Sequence, residues 1–218
     1  HLAIRSGRRY AWQASGPRWK ASARFLLSSA DRRRTASSAR TRIEVNAVPL
    51  NLPFARARLA ANARAIAALV EAVGPEQAAW KPGPADWSML ETVCHLADEE
   101  RLDFRARLEL CLRDPSLPWP PIDPAGWVSE RAYNQGDLAA ALADFQAERE
   151  RSLAWLAGLQ DPDWRRTAVR PRVSLSAGDL MASWMAHDLL HLRQLVELQR
   201  AWLARETEPF DIGYAGDW

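Results

Sequence analysis

Besides the terminal His1, the chain carries three histidines: His95, His187 and His191. His187 and His191 stand four residues apart in the helical run Leu180–Leu203, and positions i and i+4 of a helix share one face. Both rings can therefore point at one ion, and His95 can close a triad from the earlier segment Glu91-Thr92-Val93-Cys94-His95-Leu96-Ala97-Asp98-Glu99-Glu100. Three imidazole donors leave at least one position of a cation open, the arrangement of catalytic rather than structural sites. The zincin pattern His-Glu-x-x-His fails, because Asp188 follows the first histidine, and the paired Glu-x-x-His motifs of a di-iron bundle are absent from the sequence. His-x-x-x-His alone is a weak signal. Spacing by itself leaves two readings open: a metal site, or three core histidines each satisfied by a hydrogen bond. Burying three imidazoles without a shared purpose would be costly.

Residues near the triad offer a supporting shell. Ligating histidines usually donate their second ring N–H to a carboxylate or carbonyl, and Glu91, Asp98 and Glu99 all lie within one turn of His95. Glu99 or Asp98 is expected to orient His95. Gln194 falls one turn beyond His191 on the same face, where its amide could position a nucleophile or make a structural hydrogen bond. Asp188 sits roughly 100° around the helix from His187 and is expected to face another helix or solvent. Cys94 points away from the His95 direction and reads as a small buried hydrophobe. Of eleven tryptophans, Trp80, Trp87, Trp119, Trp127 and Trp164 fall in predicted loops. Plugging the ends of a bundle is the commoner use of such rings; Trp184, one turn before His187, is the better candidate for a pocket wall.

Four helical segments must position these groups. The first, about Pro53 to Val73, carries Leu59, Ile66, Leu69 and Val73 at helical spacing and stops at Gly74-Pro75. The second opens on the capping box Ser88-Met89-Leu90-Glu91 and runs to about Arg113, before Pro115. The third, about Asp137 to Leu159, repeats Leu138, Leu142, Phe145, Leu153, Leu156 and Leu159. The fourth runs from an N-cap at Ser176 to about Arg205, with Leu180, Trp184, His187, His191, Gln194 and Leu198 at steps of three and four. Between the second and third, Pro115–Gln135 is rich in proline and reads as loop, long enough to serve as a lid or pocket wall. Strand alternation is faint and confined to Thr167–Val173. Four amphipathic helices with their apolar faces inward make a four-helix bundle, an all-α fold.

Composition narrows the classes further. Of 29 basic and 27 acidic side chains, eleven and one fall in residues 1–42, which leaves 18 and 26 for residues 43–218. The body is therefore acidic, and neither a nucleic-acid footprint nor a membrane patch follows from the overall basic balance. Residues 1–45 form an Arg/Ser-rich basic extension expected to be disordered, with residues 46–218 as one domain. An organellar transit peptide or an RNA- or membrane-binding arm would share that composition. Cys94 and Cys111, placed roughly 25 Å apart along one helix, cannot form a disulfide. Few cysteines and no apolar stretch of bilayer length suggest a soluble protein of a reducing, cytoplasmic compartment.

Trp80-Lys81-Pro82, Asp86-Trp87-Ser88, the His95 segment from Glu91 to Asp98, and His187-Asp188-Leu189-Leu190-His191-Leu192-Arg193-Gln194-Leu195 together resemble the DinB-like superfamily over about residues 50–206. The resemblance implies an up-down-down-up four-helix bundle with a divalent metal held by His95, His187 and His191. It also implies a homodimer, and members with known activity activate a low-molecular-weight thiol for transfer or isomerisation. The expected function is a metal-dependent enzyme in which the ion activates a thiol or water against a small electrophilic substrate. The alternative is a non-catalytic stress-response or metal-binding module. Three imidazoles accept Zn, Ni, Fe, Co or Mn without deciding among them.

Overall fold

The computed structural model describes residues 50–171 and 173–216. The expected basic extension, residues 1–45, lies outside them. Helix α1 (Leu52–Val70) begins where the Asn51 side chain accepts the Phe54 N–H, a side-chain cap on an otherwise unpaired donor. It ends three residues short of the expected Val73, and Gly74-Pro75 opens the one-turn helix α2 (Pro75–Ala79). Ser88 and Glu91 form the predicted capping box of α3 (Met89–Asp98). That helix runs on through a π-helical stretch, Glu99–Phe104, into α4 (Arg105–Arg113). The sequence reads this as one uninterrupted α-helix; the wider turn is a finding of the structure.

Two further expectations need correction. Pro115–Gln135 is not loop throughout, since α5 (Pro124–Glu130) and a 3-10 turn (Tyr133–Gln135) lie within it. Pro124 reads as a breaker, but in the first turn of a helix its missing N–H costs nothing, and the Asp123 carboxylate caps the Gly126 N–H. The faint strand signal is a two-stranded antiparallel hairpin, β1 (Thr167–Arg170) and β2 (Val173–Ser176), with Thr167 opposite Ser176 and Arg170 opposite Val173. Its buried Ala168 belongs to one apolar cluster with Leu108, Cys111 and Ala177. Gly178 lets the start of the next helix approach the Trp164 carbonyl, where an added Cβ would lie 3.2 Å from the oxygen.

The remaining bundle helices are α6 (Leu138–Gly158), capped by Asp137, and α7 (Ala177–Glu206), capped by Ser176 as expected. Side-chain bonds give their directions. Asn62 meets Asp188 and Leu69 meets Gln199, so α1 and α7 run parallel. Arg101 meets Asp144 and Arg105 meets Ser152, so α3–α4 and α6 run parallel. His95 meets His187 whereas Glu100 meets Trp184, so α3–α4 opposes α7. The result is the up-down-down-up four-helix bundle.

Its interior has two apolar clusters. One gathers Ile66, Val70, Leu90, Val93, Phe145 and Leu195; the other gathers Leu59, Leu108, Leu156, Leu180, Met181 and Trp184. Between them on every helix sits a polar layer: Asn62, Glu99 and Glu100, Glu148 and Arg149, Asp188 and His191 are all buried. Polar groups at such depth must find partners or a ligand.

Candidate metal centre

The 3.6-residue period of α7 stacks His187 and His191 on its inward side, and α3 brings His95 to meet them. His187 Nε2 lies 3.3 Å from His95 Nε2 and 3.1 Å from His191 Nε2. The three ligand atoms fall within 4.8 Å of one another. Bonds of roughly 2.0–2.1 Å from imidazole to a tetrahedral cation imply nitrogen separations of about 3.3 Å. The two closest pairs meet that requirement, and the three donors together could hold a metal ion.

Protonation favours the same conclusion. Burial pushes all three imidazoles below their ordinary range: His191 falls to about 4, and the charge of His191 adds to the effect at His95 and His187. Neutral rings at physiological pH carry one free lone pair each. For His191 the tautomer follows from its neighbour, because Nδ1–H donates to Gln194 Oε1 at 2.7 Å and leaves Nε2 as the acceptor facing the triad. Gln194 therefore positions a prospective ligand; it is not itself among the clustered donors.

His95 and His191 are buried, while His187 is partly exposed. Two rings frame the group. Trp87 meets His95 edge-on with centroids 4.9 Å apart, and Phe104 tilts against His187 at 5.0 Å. Phe104 also stacks on Trp184 at 5.9 Å, which fixes the wall from behind. Trp184 thus reaches the site through Phe104, and its N–H is spent on Glu100.

The carboxylates expected to orient His95 do not bond to it, and His95 Nδ1 has no partner among the described residues. Asp98 turns instead to Arg101, Arg131 and the Tyr133 hydroxyl. Glu99 pairs with Asp103, itself bound by Arg107 at 2.6 Å. Burial, then the neighbouring Asp103 charge, pushes the Glu99 carboxyl up to about 9. Glu91 is occupied by the Ser88 N–H and Lys81. Cys94 is half-buried rather than the buried hydrophobe expected, and burial followed by Asp98 pushes its thiol up to about 11, an unreactive state.

A buried clasp beside the triad escapes sequence reading. Arg149 donates from Nε and Nη2 to Glu100 at 2.8 and 2.9 Å, from Nη1 and Nη2 to Asp188 at 2.8 Å each, and from Nη1 to the Leu59 carbonyl at 2.7 Å. Asp188 also accepts from Asn62. One guanidinium therefore joins all four bundle helices one residue from His187. Asp188 does face other helices, one of its two expected directions.

A model of the DinB superfamily matches residues 58–195, a span containing all three histidines. Among solved structures, YfiT from Bacillus subtilis, described as a probable metal-dependent hydrolase with an unusual four-helix bundle topology, aligns with a TM-score of 0.63 at 20% identity. The alignment covers 77% of this chain and 91% of that one. At such identity the likeness establishes the fold. No curated protein gives a significant match.

Proposed function

Because the chain belongs to the DinB superfamily, we propose that His95, His187 and His191 hold a divalent cation and that the protein is a metal-dependent enzyme acting on a small electrophile. Convergence of three Nε2 atoms, those of His95 and His191 on buried rings, carries this reading. When bound, such a cation supplies Lewis acidity, which makes a thiol or a water molecule nucleophilic near neutral pH. The protein's own part is to hold the three rings neutral by burial, to fix the His191 tautomer through Gln194, and to limit water through the Trp87 and Phe104 rings. Partial exposure of His187 marks the side from which a substrate enters. A small thiol as cosubstrate is the favoured nucleophile: both cysteines of the chain are raised in pKa by burial, so the protein offers no ready thiolate of its own.

Metal analysis of purified protein beside a His187→Ala/His191→Ala variant tests the site. About one equivalent in the wild type and loss in the variant are expected; equal, substoichiometric content in both would overturn it. A panel of electrophiles assayed with and without a small thiol then separates thiol transfer from hydrolysis. Turnover without thiol would assign water as the nucleophile.

A further inference from the structure

A cavity of about 350 Å³, lined by none of the three histidines, lies where the loop joining α2 to α3 faces α5 and the 3-10 turn after it. That volume suits a small ligand. Its wall on the loop side comes from Lys81, Asp86 and Trp87, with Glu91 beneath, and the opposite rim includes Ser129 and Gln135. The charges are not equivalent. Lys81 Nζ is 2.6 Å from Glu91 Oε1, and the other Glu91 oxygen accepts the Ser88 N–H at 2.9 Å, so this pair is internally neutralised.

Asp86 has no ion-pair partner among the described residues, and Gly83 leaves it space, since an added Cβ there would sit 3.0 Å from Asp86 Oδ2. With Lys81 and Glu91 cancelling, one uncompensated carboxylate faces the cavity. Trp87 adds an aromatic wall, a surface that attracts organic cations through its quadrupole. The Ser129 hydroxyl and the Gln135 amide add hydrogen-bonding groups across from it. The same Trp87 ring touches His95, so the cavity and the triad share a wall.

We propose that this cavity binds a small organic ammonium ion, with Asp86 as counter-ion, Trp87 as aromatic wall and Ser129 and Gln135 as polar contacts. A ligand of opposite charge would meet the Asp86 carboxylate unfavourably. Nothing in the recognition uses a metal ion, so the proposal stands or falls separately from the reading of the triad.

Calorimetric titration of the full chain in a chelating buffer, with n-butylamine at neutral pH and with butyrate as its anionic counterpart, tests it. One-to-one binding of the amine and none of butyrate is expected. Asp86→Asn should weaken amine binding by about tenfold or more, the scale of a lost charge-assisted hydrogen bond. Ser129→Phe, which fills the cavity from an exposed rim position, should weaken it as well, with helicity by circular dichroism unchanged in both variants. Absence of amine binding, comparable binding of butyrate, or wild-type affinity in both variants would overturn the proposal.

Discussion

Which nitrogen each imidazole turns inward decides what the triad can do. The i, i+4 spacing of His187 and His191 was legible because helix geometry alone puts them on one face, and Gln194, three residues beyond His191, was legible for the same reason. The partners of Asp98 and Glu99 were not. Arg131 and Tyr133, which claim Asp98, come from a segment whose helix was masked by prolines, and Glu99 meets Asp103 across the wider π turn. The Glu99 proton has a measurable consequence. Burial and the Asp103 charge push the folded carboxyl up to about 9 from an ordinary value of 4.5. Between those values the native state holds a proton that the unfolded chain has released, so stability falls as pH rises across that window. Glu99→Gln removes the difference. Unfolding free energy from urea titration should therefore decline less between pH 5 and 9 in the variant than in the wild type, and equal slopes would show that Glu99 is ionised in the fold.

At the scale of elements, caps were the clearest text in the sequence. Ser88 with Glu91 and Ser176 with Asp179 begin α3 and α7 through reciprocal bonds that depend only on residues three apart. The π-helical stretch leaves no such local signature, yet it lies in the segment where Glu99, Glu100 and Asp103 are all buried. What makes that burial tolerable is nonlocal: Glu100 is matched by Arg149, 49 residues away. Burial works against the guanidinium charge, but bonds to Asp188 and the charge of Glu100 outweigh it and raise its pKa. Removing one partner from such a cluster leaves uncompensated buried charge. Arg149→Met should destabilise the protein by about 3–5 kcal/mol in urea unfolding. Adding Glu100→Gln and Asp188→Asn should restore much of the loss, because the stranded charges are then gone. A cost below about 1 kcal/mol for the single substitution would mean that the clasp is open to solvent.

At the scale of the molecule, amphipathic periodicity was enough to give four helices, and the family resemblance to give their up-down-down-up order. The apolar clusters on either side of the polar layer bear on the choice between a catalytic and a structural ion. Each cluster joins residues from several helices without help from the histidines, so the bundle should hold together with the triad empty. Chelation should leave helicity by circular dichroism nearly intact, unlike a structural zinc module, which unfolds without its ion. A cation that binds the native state alone must still stabilise it by mass action, by about 2.7 kcal/mol at a hundredfold excess over Kd. At roughly 2–4 °C per kcal/mol for a domain of this size, calorimetry should show Tm rising by about 5–11 °C on adding the ion to chelated protein. The His187→Ala/His191→Ala variant should show no such rise. Collapse of helicity on chelation would instead make the ion a structural element, and the bundle a binding module in which catalysis has no part.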